Sequence, residues 1–403
     1  MNGRCWSGNS MRHNDEDTIT LLYTSDAHGH WARADGQSGG SLACAAQYAA
    51  NIRKVRKHVW MIDNGDLLQG TPLASYIAMH EGERGAKMIG DLLRASGVDI
   101  AIPGNHDFDY GLPYLRAIIA SSSCMWLAAN VRHRSGIGLA EGYHIGVSGT
   151  RRIAFIGVTT QVPSWQYPNR LEGWQWHDEV DAVQAIADKL RPCVDAIVVC
   201  CHGGVEQGDV LEPENAALRI AREVKGIDVL LTGHQHDRFV RREGKTLILQ
   251  PGSHGGSIGE VTLTFDGANK EGMVSEGRIV DLTEQEESAE VVTEVLAVRK
   301  LAEAQLGKVL CDCDANLQLH DWRDLTRREH PLVEWLHRVQ LKESRAQLSA
   351  VAYVGEKPLA GLLERDAGSQ RMLQIDFTSN WEIIGRNEDD DSCSEGDSQG
   401  GGL

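Results

Sequence analysis

Five short clusters of carboxylate, imidazole and amide side chains occur between residues 26 and 236. Within a cluster the members are close together, as in the sequence Asp26-Ala-His28. These side-chain types suit borderline divalent cations such as Mn²⁺, Zn²⁺, Fe²⁺ or Co²⁺. One cluster alone would be weak evidence for metal binding, but five in succession indicate a metal site. The clusters are Asp26 with His28; Asp66; Asn105 with His106 and Asp109; His202; and His234 with His236.

Each cluster follows a predicted β-strand. Apolar runs predict buried strands at residues 18–24, 58–62, 98–102, 152–158, 195–201, 227–231 and 246–250. Helix-length segments lie between them at residues 41–57, 86–96, 178–190 and 214–224. This alternation predicts a layered α/β domain. The carboxyl ends of strands are where open α/β sheets place their sites, so we expect the five clusters to meet there.

Two segments follow the strand-and-helix region. Residues 260–265 alternate polar and apolar side chains, which predicts a more exposed closing strand. Residues 284–306 read as a charged connecting helix with one buried stripe formed by Val291, Val295, Val298 and Ala302. Beyond them, residues 307–386 form a smaller and less regular region. Residues 387–403 are rich in Asp, Ser and Gly, which predicts a disordered acidic tail, and residues 1–17 are predicted to be flexible.

Composition excludes several classes of protein. The chain has 403 residues and a formal net charge of −17, which disfavours a broad nucleic-acid-binding surface. No apolar run is long enough for a membrane span, and the nine cysteines show no C-x-x-C pair or disulfide framework. Residues 1–17 lack the features of a signal peptide, which predicts a cytoplasmic protein. A periplasmic or secreted location is the alternative if an export signal is missing from this sequence. The oligomeric state is not predicted.

The motifs resemble those of a known enzyme family. The order D-x-H-G, G-D-x-x-Q-G, G-N-H-D-F-D, C-H-G-G and T-G-H-x-H is similar to the calcineurin-like metallophosphoesterases. Within them the sequence most resembles the 5′-nucleotidase and 2′,3′-cyclic-nucleotide 2′-phosphodiesterase/3′-nucleotidase family. The resemblance covers residues 18–285 and extends weakly to about residue 360. It implies a layered metallophosphoesterase β-sandwich flanked by helices, with a small, incomplete C-terminal α+β region.

The resemblance also implies a role for each clustered residue. Two divalent metal ions would share Asp66 as a bridging ligand and activate a water molecule. His106 would assist catalysis at the phosphate or leaving oxygen, and Asp109 would orient it. The first ion would be held by Asp26, His28, Asp66 and His236, and the second by Asp66, Asn105, His202 and His234.

Domain organisation follows from the same resemblance. It implies a catalytic domain at residues 18–285, a linker helix at 286–306 and a partial substrate-binding domain at 307–386. The family's C-terminal domain is longer than the region found here, and the sequence beyond Leu363 no longer resembles it. The residues that would bind the base are therefore not located.

The expected substrate is a nucleotide or another small phosphoester. The Gln69-Gly-Thr-Pro-Leu73 sequence and the segments 331–340 and 346–352 favour the cyclic-nucleotide branch, and the N-x-G-G-I-R segment typical of 5′-nucleotidases is missing. Three alternatives stay open: a 5′-nucleotidase or UDP-sugar hydrolase, a thiosulfohydrolase-like enzyme, and a truncated metal-binding remnant without turnover. The P-loop sequence of ATP-driven enzymes is absent.

Several other residues are assigned structural roles. His30 lies outside the matched pattern and is interpreted as an exposed histidine or one that contacts a ligand. His254, in the Gln250-Pro-Gly-Ser-His-Gly-Gly256 sequence, is interpreted as part of a loop rather than as a ligand. Trp165, Trp174 and Trp176 could stack on a base, but packing is the preferred interpretation.

Overall fold

The computed structural model describes residues 17–33, 39–167, 169–206, 214–266, 273–306, 311–313, 330–344, 363–366 and 369–372. It divides into two compact units, Met1–Gly307 and Lys308–Leu403. The predicted N-terminal flexibility (residues 1–17, of which only Asp17 is described) and the predicted tail (387–403) lie outside the described residues. The finer division at residues 285 and 306 stays a prediction. Among the described residues, no helix combines the length and apolar character that a membrane crossing needs.

The first unit contains fourteen named strands and eight α-helices among its described residues. The strands are β1 Thr18–Thr24, β2 Val59–Asp63, β3 Ile100–Ala101, β4 Met125–Trp126, β5 Val131–His133, β6 Tyr143–Ser148, β7 Arg151–Thr159, β8 Trp174–Trp176, β9 Ala196–His202, β10 Val229–Thr232, β11 Arg238–Glu243, β12 Thr246–Pro251, β13 Ser257–Thr264 and β14 Val274–Asp281. The helices are α1 Leu42–Val55, α2 Pro72–His80, α3 Gly82–Ala95, α4 Leu112–Ser121, α5 Val162–Gln166, α6 Glu179–Leu190, α7 Ala217–Glu223 and α8 Ala289–Leu306.

Two six-stranded sheets pack face to face. One has the order β14-β13-β1-β2-β3-β4, with β1 to β4 parallel and β13 and β14 antiparallel. The other has the order β11-β12-β10-β9-β7-β6, with β7, β9, β10 and β12 parallel. Side chains from both sheets, such as Leu21, Phe155 and Leu231, form one buried cluster between them. The layered α/β prediction is therefore confirmed.

Helices cover the outer faces of the sandwich. Buried side chains of α1, α3, α4 and α8 share one apolar cluster, and those of α6 and α7 share another with the second sheet. All four residues of the predicted apolar stripe in α8 (Val291, Val295, Val298 and Ala302) are buried, as expected. The helix begins at Ala289, five residues later than the start of the predicted segment at 284. Helix α7 begins at Ala217 instead of residue 214.

The predicted closing strand at residues 260–265 does not lie at the edge of its sheet, although Thr262 and Thr264 are half-buried, as the alternation predicts. Strand β13 runs from Ser257 to Thr264 and lies inside the first sheet, between β1 and β14, with its first five residues buried. The carboxylate of Glu260, a polar residue of this strand, has partners in its buried position. It accepts hydrogen bonds from Tyr48 Oη at 2.6 Å and from Arg278 Nη2 at 2.9 Å. The alternation of side chains therefore reflects the two faces of a covered strand.

The second unit is described only in part. Helix α9 spans Pro331–Ser344. Strands β15 Cys311–Cys313, β16 Leu363–Asp366 and β17 Ser369–Met372 form a three-stranded sheet of order β15-β17-β16.

Candidate metal centre

All five residue clusters lie at the carboxyl ends of parallel strands. Asp26 and His28 follow β1, Asp66 follows β2, and Asn105 follows β3. In the second sheet, His202 ends β9, and His234 and His236 follow β10. Since the two sheets pack face to face, loops from both reach the same region. The structure brings together all seven predicted metal ligands.

The backbone at these loops is unusual. Among the described residues, only six non-glycine residues have a positive φ: Asp26 (56°), His28 (47°), Asp66 (57°), His234 (74°), His236 (63°) and His254 (57°). The left-handed region is unfavourable for residues with a Cβ and recurs at functional sites. Five of these six residues are predicted ligands, so the strained positions coincide with the expected site.

One group of donor atoms consists of Asp26, His28 and His236. His28 Nε2 lies 3.0 Å from His236 Nε2, and His236 Nε2 lies 3.5 Å from Asp26 Oδ1. His28 Nδ1 donates to the carbonyl of Gln69 at 3.0 Å, because a carbonyl can only accept. The neutral ring therefore directs its Nε2 lone pair toward the group, as metal-binding histidines do.

A second group consists of Asp66, His202 and His234, and Asn105 lies among them. His202 Nε2 is 3.2 Å from Asp66 Oδ2 and 3.3 Å from Asn105 Oδ1, and His234 Nδ1 is 2.9 Å from Asn105 Oδ1. The opposite nitrogen of His202 donates to the carbonyl of Asn64 at 2.7 Å. Asp66 also connects the two groups, since its Oδ2 lies 3.8 Å from His28 Nε2.

Both groups fit a divalent cation. Ligand atoms bound at about 2.1 Å to one ion are separated by about 3.0–3.4 Å, and several of these donor pairs have such separations. Burial opposes ionisation of Asp26, but its hydrogen bond to His236 and its charge interactions with His202 and His236 outweigh burial and lower its pKa to about 2. Burial lowers the pKa of His28, which favours the neutral, metal-binding form. Burial has the same effect on His202, but the charge of Asp66 outweighs it and raises the pKa of His202 to about 10, so a cation bound there would displace a proton.

His106 and Asp109 form a pair beside these groups. His106 Nδ1 lies 2.9 Å from Asp109 Oδ2, and the other carboxylate oxygen accepts a hydrogen bond from Tyr167 Oη at 2.8 Å. The His106 ring centroid is 5.4 Å from that of His28, and its backbone amide donates to Asp66 Oδ1 at 2.8 Å. Burial lowers the pKa of His106, but the charges of Asp66 and Asp109 outweigh this and raise it to about 9. The pair can therefore hold a proton near the donor groups.

Three residues near the site were not singled out from the sequence. The Asp107 carboxylate accepts hydrogen bonds only from backbone amides of the ligand loops. Gln250 binds Gly233 O at 2.8 Å and the Asp237 amide at 2.7 Å, so it spans the loop that carries His234 and His236. Asp107 lies inside the G-N-H-D-F-D motif, and this motif is the sequence feature that could have indicated a role for it. No sequence feature indicates the roles of Gln250 and Tyr167, because their hydrogen-bond partners are remote in sequence or are backbone atoms.

The remaining residues of interest lie at the edge of the site or elsewhere. His30 and His254 are exposed, and their ring centroids are 4.5 Å apart. The His254 ring lies 5.7 Å from those of His28 and His236, so its loop borders the first donor group. Trp176 packs on Phe108 and Trp174 contacts His133, whereas Trp165 is exposed.

The fold and this site define a class of protein. The family model for calcineurin-like phosphoesterases matches residues 19–238, which include every predicted ligand. The chain belongs to the calcineurin-like phosphoesterase family, whose chemistry is metal-dependent hydrolysis of phosphoric esters. The resemblance seen in the sequence motifs is thereby confirmed.

Two curated proteins are similar to parts of this chain. The trifunctional nucleotide phosphoesterase protein YfkN of Bacillus subtilis is 31% identical over 56% of this chain and 17% of its own length. The 2′,3′-cyclic-nucleotide 2′-phosphodiesterase/3′-nucleotidase of Yersinia enterocolitica is 26% identical over 57% of this chain and 38% of its own. The chain thus spans well under half of each of these two relatives.

A solved structure shows the same fold. The putative 5′-nucleotidase of Staphylococcus aureus superimposes with a TM-score of 0.73 at 24% identity, covering 88% of this chain and 70% of that one. At this identity the similarity supports only the arrangement of sheets and helices. It gives no information about the substrate.

Proposed function

We propose that this protein hydrolyses nucleotide phosphoesters with two divalent cations, acting as a 2′,3′-cyclic-nucleotide 2′-phosphodiesterase/3′-nucleotidase. The observation that carries the proposal is the pair of donor groups that meet at Asp66. One carboxylate within 4 Å of histidines from both groups is suited to bridge two cations. The first ion would be bound by Asp26, His28, Asp66 and His236, and the second by Asp66, Asn105, His202 and His234.

The residues present explain how such a reaction would be assisted. Two bound cations supply an activated water and neutralise charge on the phosphate. His106 uses Nδ1 to contact Asp109, which leaves Nε2 for the substrate. A proton on Nε2 can pass to the leaving oxygen and prevent build-up of negative charge on it. Asp109 keeps the imidazole in this orientation, and Tyr167 in turn fixes Asp109 through its hydroxyl.

The substrate assignment rests on sequence motifs and on the named relatives. The Gln69–Leu73 sequence favours the cyclic-nucleotide branch. The Yersinia enterocolitica relative carries the name of that branch, and the Bacillus subtilis relative is named a nucleotide phosphoesterase. The metal could be Mn²⁺, Zn²⁺, Fe²⁺ or Co²⁺, which all accept mixed nitrogen and oxygen ligands.

A substrate panel tests the assignment. We expect the Mn²⁺-supplemented protein to hydrolyse 2′,3′-cyclic AMP and 3′-AMP with kcat/KM at least ~10-fold above that for 5′-AMP, a difference of about 1.4 kcal/mol in transition-state stabilisation. Release of phosphate and nucleoside would be measured by chromatography on one preparation. Preference for 5′-AMP would assign the chain to the 5′-nucleotidase branch. Hydrolysis of a thiosulfonate without phosphoester turnover would contradict the proposal, and so would metal binding without any turnover.

A further inference from the structure

The Asp107 carboxylate connects two of the loops that carry the candidate ligands. Its Oδ1 accepts hydrogen bonds from the amides of Leu67 and Leu68, both at 3.0 Å. Its Oδ2 accepts from the amides of Asp66 at 2.9 Å and Gly104 at 2.7 Å. The side chain is completely buried. Each oxygen therefore serves two donors, and the donors come from the loop after β2 and from the loop after β3.

This arrangement places one carboxylate among four backbone amides that all point at it. Each of the four amides donates to a carboxylate oxygen, and successive amides that point at one acceptor group form a nest. All four of these donors are main-chain groups, so their positions are set by the loop backbone. Asp107 thus links the backbones of these two loops.

One of the four residues whose amide Asp107 holds is the candidate ligand Asp66. It has a φ of 57°, which residues with a Cβ avoid, and its amide is bound to Asp107. Its carboxylate is held separately, because Oδ1 accepts from the His106 amide at 2.8 Å. A Cβ added to Gly104 would collide with the Asp66 carboxylate, so the two loops are in close contact. Other protein groups therefore hold both the backbone and the side chain of Asp66.

We infer that Asp107 is a positioning residue that preorganises Asp66 to bridge the two cations. The inference rests on the proposed function only in taking Asp66 as the shared ligand. Asp107 itself would contact neither the cations nor the substrate. Its loss should weaken the binding of both ions together, because the bridging ligand belongs to both.

The test uses Asp107→Asn, which keeps the shape but replaces one accepting oxygen with an NH₂ group. Two backbone amides would then face a donor instead of an acceptor. We expect the dissociation constants of both Mn²⁺ ions, measured by competition with a chromophoric chelator, to rise ~10–100-fold. Asp107→Glu keeps both oxygens and should recover part of the affinity.

A matched control is Asp99→Asn. Asp99 also connects β2 and the start of β3, since it accepts from the Met61 amide at 2.8 Å and from Arg53 Nη2 at 2.8 Å. It lies at the opposite, amino ends of the strands, so its loss should change the Mn²⁺ constants less than ~3-fold, although it weakens the hydrogen bonds to Met61 and Arg53. Equal Mn²⁺ affinity in native protein and folded Asp107→Asn would overturn the inference.

A second measurement needs no variant. In the metal-free native protein, the amides of Asp66, Leu67, Leu68 and Gly104 should be protected from hydrogen exchange, because Asp107 binds them. Exchange as fast as in exposed loops would contradict the inference even if Asp107→Asn does not fold. Absence of phosphoester hydrolysis would refute the proposed function without changing either the Mn²⁺ or the exchange result, so the two failures can be distinguished.

Discussion

Replacement of Asp66 with asparagine is expected to remove most metal from both sites and to lower kcat/KM by ~10³-fold or more. An asparagine amide carries no negative charge, so its oxygen binds a cation more weakly than a carboxylate oxygen and is poorly suited to hold two cations. Asp66 Oδ2 is the oxygen that lies near both donor groups, because it is 3.2 Å from His202 Nε2 and 3.8 Å from His28 Nε2. Metal per chain would be measured by mass spectrometry, and activity with bis-p-nitrophenyl phosphate.

The control for this variant is Asp228→Asn. Asp228 precedes β10 and accepts hydrogen bonds from the Ile197 amide and from Arg191, away from the metal centre. Its loss should lower thermal stability and leave metal content near the native value. An Asp66→Asn protein that retained two ions and native turnover would show that Asp66 is not the shared ligand.

Replacement of His106 with alanine is expected to lower kcat by ~10²–10⁴-fold and to leave about two ions per chain. The imidazole is oriented by Asp109 and lies outside both donor groups, so its loss removes proton transfer without removing a ligand. The effect should appear in kcat with a smaller change in KM, which steady-state kinetics would measure.

His80→Ala is a suitable comparison, because His80 is an exposed histidine in the last turn of α2. It should retain native kinetics. If the His106→Ala protein remained fully active with its metal bound, the assigned proton donor would be wrong. If it lost metal together with activity, His106 would be acting as a ligand or as a support for one.

The sequence predicts the architecture well because buried parallel strands have a simple pattern. Strands such as β1 and β9 are covered on both faces, so they appear as continuous apolar runs. The ligands follow those runs directly, which locates them at one edge of the sandwich. Strand β13 misled the prediction, because Glu260 is buried through its contacts with Tyr48 and Arg278, which lie far away in the sequence.

The residues that support the ligands are harder to predict. Asp107 and Gln250 bind backbone amides and carbonyls, which every residue possesses, so their partners leave no mark in the sequence. Tyr167 reaches Asp109 only because the fold brings together residues that are 58 positions apart. The conformations of the ligand loops, with φ near 60° at Asp66 and His236, likewise depend on tertiary contacts.

The most direct test of a two-metal phosphoesterase is a metal titration of chelator-treated protein, with bound Mn²⁺ and hydrolysis of bis-p-nitrophenyl phosphate measured on the same samples. The arrangement of two donor groups around Asp66 predicts negligible hydrolysis without metal and a rise in activity that is complete at about two ions per chain. Hydrolysis that survives removal of metal, or binding of two ions without any hydrolysis, would contradict it.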